Sequence, residues 1–140
     1  MADVDDLLAK QAITEQLYSY CHGLDRFNRE QASIWHEGGT ADYEEIFQGT
    51  GEGFLDWVWP VHQGCESTSH QVTNMLITVD GDRATSETYV TAALRMGDND
   101  AVARGRYIDT WSRRDGRWGV EHRRYVTDIQ QFVPVPKDPA

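Results

Sequence analysis

Residues 67–128 read STSHQVTNMLITVDGDRATSETYVTAALRMGDNDAVARGRYIDTWSRRDGRWGVEHRRYVTD, and through much of this stretch apolar and polar side chains alternate with a period of two. That is the period of a strand with one face packed and one face open. Asp80-Gly81-Asp82, Gly97-Asp98-Asn99-Asp100 and Arg114-Asp115-Gly116 punctuate it. Asp-Gly and Gly-Asp pairs accept the positive φ of a tight reversal, so each cluster marks a turn between antiparallel neighbours. The stretch predicts long strands over Ser67 to Val79, Arg83 to Met96, Val102 to Arg113 and Arg117 to about Asp128. Such a meander needs something to cover its apolar face.

The cover lies upstream. From Asp5 to Leu24 the apolar residues Ile13, Leu17, Tyr20, Cys21 and Leu24 recur at the spacing of an amphipathic helix. Asn28 followed by Gln31 has the form of a capping box and predicts a short second helix through about Trp35. Gly38-Gly39 and Gly49 bracket an alternating run, Ala41 to Phe47, read as an edge strand. Phe54 to Trp59 is too bulky for a solvated loop and is read as a third helix disrupted near Pro60. Gly49 to Gly53 lacks the Lys of a phosphate loop and is read as a turn. Val133 to Ala140 is a Pro-rich extended tail. Helices first and antiparallel strands afterwards give the α+β class, as one domain over residues 1–140.

Composition narrows the partners. Thirteen basic against 23 acidic residues leave a formal charge of −10, a field that repels nucleic acid and anionic membranes. No run approaches the roughly 18 apolar residues of a membrane span, and the acidic start has no leader pattern. Cys21 and Cys65 are lone cysteines, which reads as a reducing, cytoplasmic setting. His22, His36 and His62 show no metal-ligand spacing and are read as solvated or packing residues. Neither a metal nor a nucleotide cofactor is expected. Trp111, Trp118 and Val120 alternate along two neighbouring strands and suggest an outer apolar face, hence a homo-oligomer, dimer or trimer.

Ala12-Ile13, Leu17, Tyr20, Leu24-Asp25, Ala32-Ser33-Ile34-Trp35, Trp59-Pro60, His70 with Thr73-Asn74, and Arg113 to Trp118, in this order, resemble the SnoaL-like polyketide cyclases of the nuclear transport factor 2-like superfamily. Within that group the chain looks most like hexachlorocyclohexane dehydrochlorinase and, more distantly, scytalone dehydratase. The resemblance implies a cone: N-terminal helices on a strongly curved, mostly antiparallel sheet enclosing one pocket. It also implies an Asp–His dyad at Asp25 and His70, with Arg123 and Tyr43 at positions matching pocket residues of those enzymes. There are departures. Tyr20 stands where the dehydrochlorinase has a Lys, and the remaining polar set of the dehydratase finds no counterpart.

Read as chemistry, an imidazole steered by a buried carboxylate is a base suited to taking a proton from carbon. His70 alternates inward with Thr68, Val72, Asn74 and Leu76, so it and Asp25 can meet in the cone. Each also has a plainer reading: Asp25 as a turn residue, His70 as a half-buried strand histidine. Tyr107, in line with Gly105, Asp109 and Trp111, is placed to polarise a carbonyl or simply to pack. Tyr20 and Tyr43 carry the same two readings, as wall or as donor. Arg123 would pair with Asp25, stabilise an enolate, or be a solvated residue of the run His122 to Arg124. Asn74 would orient His70 or satisfy a strand end. The expected function is a cofactor-independent lyase or isomerase of dehydratase, dehydrohalogenase or cyclase type, acting on a small hydrophobic, cyclic substrate. Its rivals are a passive binding or association domain and a ring-closing aldol or epoxide-opening enzyme.

Overall fold

The computed structural model describes residues 3–137. α1 (Val4–Arg26) starts at Asp3, whose side chain accepts the Asp6 N–H at 2.9 Å. Asp5 and Asp6 occupy its first turn, where the helix dipole favours negative charge. Its buried stripe is the expected one, with Ala9 and Gly23 added. The helix stops at Phe27, in the left-handed region at φ 56°.

α2 (Arg29–Ala32) is capped by Asn28, whose side chain accepts the Gln31 N–H at 3.2 Å. It is one turn long and does not reach Trp35. The apolar pair Ile34-Trp35 belongs to the sheet instead: the Ile34 carbonyl accepts the Val120 N–H at 2.9 Å, and Trp35 opens β1 (Trp35–Asp42). This strand begins earlier than Ala41 and is no edge, since it lies between β2 (Gln48–Thr50) and the last strand, β6 (Arg117–Pro134). The reversal between β1 and β2 holds Glu44 at φ 56° and closes with the Tyr43 N–H on the Phe47 carbonyl at 2.8 Å. Gly49 to Gly53 is therefore not a turn. Gln48–Thr50 pairs with β1, and Thr50 caps α3 (Gly51–Gln63) by accepting the Gly53 N–H at 2.9 Å. α3 continues through Pro60 because that residue is exposed. Asp56, whose carbonyl Pro60 leaves without its helical donor, is an exposed residue too.

β3 (Ser67–Asp80), β4 (Arg83–Met96), β5 (Asn99–Arg114) and β6 (Arg117–Pro134) form the meander, in the sheet order β2-β1-β6-β5-β4-β3. Among the described residues only β1 and β6 pair in parallel. β6 outlasts its expected end: Val133 and Pro134 of the supposed free tail pair with Asp100 and Asn99, and Asp138 to Ala140 lie outside the described residues. Register shifts between Val72 and Met75, between Arg104 and Gly105, and between Thr110 and Trp111 increase local twist and bend the strands around the helices. At Gly105 an added Cβ would collide with the Tyr125 ring and the Val126 carbonyl, so only glycine lets β5 and β6 pack this closely here.

Trp111, Trp118 and Val120 are 1%, 4% and 0% exposed. They fill the core under α1 and do not form an outer face. Among the described residues, no helix is long and apolar enough to cross a membrane.

Candidate active site

Asp25 lies in the last turn of α1, at the end of the dipole that disfavours a carboxylate. Three donors from β3 compensate. Its Oδ1 accepts the Thr68 hydroxyl at 2.9 Å and His70 Nδ1 at 2.7 Å, and its Oδ2 accepts the His70 backbone N–H at 2.8 Å. Burial opposes ionisation of Asp25, but the His70 side chain and N–H and the Thr68 hydroxyl outweigh it and hold its carboxyl below the ordinary value. The plain turn-residue reading does not describe a carboxylate with three donors. An ionised Asp25 requires the proton of neutral His70 on Nδ1, which leaves the Nε2 lone pair free. Among the described residues nothing hydrogen-bonds that nitrogen.

His70 opens onto an apolar cavity of about 190 Å³ enclosed by α1, α3 and the inner faces of β4, β5 and β6. An apolar cavity of about 150 Å³ holds benzene, so this one suits a single ring with few substituents. Ile46, Trp57 and Val61 line it and are also exposed; they form an apolar mouth between α3 and the β1–β2 turn. The polar lining consists of two imidazoles and four phenols, Tyr20, Tyr43, Tyr107 and Tyr125. Burial pushes the Tyr20 and Tyr107 phenols well above their ordinary value and raises Tyr43 and Tyr125 as well, so all four stay neutral donors. The Tyr20 and Tyr43 hydroxyls share a 2.9 Å hydrogen bond.

Arg123 does not pair with Asp25 and is not solvated. It is 0% exposed, makes a two-pronged ion pair with Asp109 at 2.8 and 2.9 Å, and lies 3.8 Å from the Tyr107 ring centroid and 4.6 Å from that of Tyr20. It sits behind the phenols and not in the cavity wall. Asn74 is also displaced. At the bulge, Thr73 and Asn74 together face Tyr89, and from there Met75, Ile77 and Val79 turn inward while Asn74 and Leu76 are exposed. His36 is buried on the Ser112 carbonyl at 2.8 Å, and His22 is at the surface beside Gln31.

His62 is the residue that reading the sequence missed. It lines the cavity, 4% exposed, with its ring centroid 5.1 Å from that of His70. Burial, with the nearby His70 adding to it, pushes its imidazole down to about 4. The signal was present as Phe54, Val58 and His62, spaced by four along one helix face. A helix broken at Pro60 hides it.

A family model described as a SnoaL-like domain matches residues 5–124. The chain belongs to the SnoaL-like family. Solved structures agree on the fold. LinA is 26% identical, with TM-score 0.81 over 96% of this chain and 95% of that one. The hexachlorocyclohexane dehydrochlorinase LinA-type3 of Novosphingobium barchaimii is 25% identical, with TM-score 0.79 over 96% and 94%. A protein of Novosphingobium aromaticivorans provisionally described as a scytalone dehydratase is 24% identical, with TM-score 0.81 over 90% and 88%. No curated protein matches the chain. This SnoaL-like protein thus has the cone of the nuclear transport factor 2-like superfamily, and dehydrochlorinase and dehydratase structures are among its neighbours.

Proposed function

We propose that the protein is a cofactor-independent lyase or isomerase in which His70 removes a proton from carbon in a small, hydrophobic, cyclic substrate. One observation carries the reading: the Asp25–His70 pair is fixed by three hydrogen bonds, His70 Nε2 has no hydrogen-bond partner among the described residues, and the ring lines an apolar, ring-sized cavity. Nε2 takes the proton, and the Asp25 carboxylate stabilises the resulting imidazolium while holding the ring in place. The buried phenols, foremost Tyr107, whose hydroxyl has no hydrogen-bond partner among the described residues, donate to a carbonyl or enolate oxygen. Arg123 acts from behind them: its charge is matched by Asp109 and its contacts fix the Tyr20, Tyr43 and Tyr107 rings. Among the described residues no Lys or Arg lines the cavity, and none is there to receive a departing chloride. The reading therefore favours carbonyl substrates and oxygen leaving groups.

The test is solvent exchange. Cyclohexanone in D₂O should acquire deuterium at its α-carbons when the protein is added, followed by NMR, and EDTA should not slow it. His70→Ala and Asp25→Asn should each lower the rate by at least about a hundredfold, the scale of a lost general base. The double variant should be little worse than the weaker single one. Cyclohexanone that binds, seen as line broadening, without exchanging would favour a passive binding domain.

We also propose self-association. In place of the buried Trp111, Trp118 and Val120, the residues Leu76, Tyr89, Ile108, Val126 and Ile129 share the outer face of β3 to β6 around the Arg106–Glu87–Asp128 ion pairs and leave apolar surface there. Light scattering at micromolar concentration should report a dimer or trimer, and a monomer would end this reading.

A further inference from the structure

Where the cavity meets the surface, its wall stays apolar. Ile46, Trp57 and Val61 line the cavity yet are 53%, 41% and 40% exposed. An exposed apolar side chain is ordinary when it stands alone, but three that meet at the mouth of one cavity form an apolar surface continuous with its interior. Trp57 and Val61 follow Phe54 and Val58 at helical spacing, so one face of α3 runs from the buried wall to the rim. Ile46 joins them from the β1–β2 turn.

An aromatic track follows the same line. Tyr43 stacks on Phe54 with centroids 3.8 Å apart and planes 15° apart, and Phe54 stacks on Trp57 at 6.1 Å and 25°. Tyr43 and Phe54 are buried and Trp57 is exposed, so three nearly parallel rings lead from the interior to solvent. The rim around them is acidic. Glu44 and Glu45 next to Ile46, and Asp56 next to Trp57, are exposed. Arg29 is taken up by Glu52 and Asp56 at 3.1 and 2.8 Å, which leaves that group of three with a negative sum. An anion in the mouth would meet like charge.

We propose that the substrate's ring carries a neutral, unbranched apolar substituent that leaves the cavity through this mouth, and that Ile46, Trp57 and Val61 select for it. This rests on the reading of the cavity as the site where His70 attacks a cyclic ketone. A cavity of about 190 Å³ takes one ring, so the rest of a longer molecule lies in the mouth. With the ketone oxygen on the buried Tyr107 hydroxyl, the ring carbon opposite it is directed toward the opening, and a chain on that carbon leaves both α-carbons free for His70. The substrate class is a cyclic ketone with an alkyl chain opposite the carbonyl; a chain that ends in a carboxylate or phosphate is disfavoured by the rim.

Calorimetric titration of the full chain reads the mouth without requiring turnover. Complete burial of one methylene is worth about fourfold in affinity; in a half-open mouth each carbon should give at least about twofold, so 4-propylcyclohexanone should bind at least about eightfold tighter than cyclohexanone. Trp57→Ser and Ile46→Ser, both at exposed positions, should each lower that ratio at least about twofold, and the double variant should remove most of it. Val61→Ser supplies the same comparison should either variant not fold. 3-(4-Oxocyclohexyl)propanoate, equal in length to the propyl ketone, should bind no tighter than cyclohexanone. The proposal fails if the wild type binds the propyl ketone no tighter than cyclohexanone, if the variants keep the wild-type ratio, or if the propanoate binds as tightly as the propyl ketone. A propyl ketone that binds with the expected ratio but does not exchange its α-protons in D₂O leaves the mouth standing and overturns the reading of His70 as the base. If neither ketone binds, both readings fall.

Discussion

A residue's surroundings decide its chemistry, and His62 shows it without any substrate present. An unfolded imidazole takes its proton near pH 6.5, whereas folded His62 does so only near 4. Between those values the unfolded chain binds the extra proton, so His62 subtracts from stability as pH falls from about 6.5 to about 4, with no further loss below. The melting temperature of the wild type should therefore drop more steeply across that window than that of His62→Phe. Parallel curves from pH 7 to 4 would mean that the ring is not held neutral. Asp25→Asn is expected to affect folding as well as rate. An amide that keeps its oxygen toward Thr68 and His70 Nδ1 turns its NH₂ toward the His70 N–H, donor against donor, at a cost of about 1–3 kcal/mol. The dyad was legible only as a pair. Each member alone has an ordinary reading, and the resemblance is what joined positions 45 residues apart. Arg123 was not legible in detail, because its partner Asp109 lies on a neighbouring strand whose register the sequence does not print.

Elements were legible where one period ran uninterrupted, and illegible where a single residue reset the phase. β4 has the bounds that its turn signals predict, Arg83–Met96, because both ends carry glycine turns with positive φ at Gly81 and Gly97. β3 changes face half-way. Thr68, His70 and Val72 obey the first phase, and the two residues opposite Tyr89 shift the rest, so strict alternation puts Asn74 and Leu76 on the wrong side. Asn74→Ala should consequently leave cyclohexanone exchange within about twofold of the wild type, and a hundredfold loss, the scale of a catalytic group, would return Asn74 to the site. α3 was misread for a related reason: a proline usually breaks a helix, but at Pro60 the helix continues to Gln63. The short β1 was hidden by length. Eight residues with two adjacent glycines carry too little alternation to compete with the capping signal before them.

At the scale of the whole molecule, the Arg123–Asp109 pair is where the layers meet. Arg123 on β6 is held by Asp109 on β5, its guanidinium packs on Tyr20 from α1, Trp35 from β1 and Tyr107 from β5, and it reaches the Tyr43 hydroxyl at 3.5 Å. Both members are fully buried, so their attraction is set against the loss of hydration of two ions, and the net stabilisation of such a pair over an apolar equivalent is small or negative. Removing one partner is a different matter. Asp109→Leu leaves an uncompensated guanidinium in the core and should destabilise the protein by about 3–5 kcal/mol, enough to unfold a marginal domain. Arg123→Met in the same chain removes the orphan charge and should restore much of that loss, because both sites then hold side chains of similar bulk. The repacked protein separates architecture from function. If the pair exists to fix the phenols, the double variant should fold cooperatively in urea yet exchange cyclohexanone more slowly than the wild type, since Tyr20 and Tyr107 have lost the planar cation that orients them. If it exchanges at the wild-type rate, the pair serves only the fold, and the phenols need no support from behind.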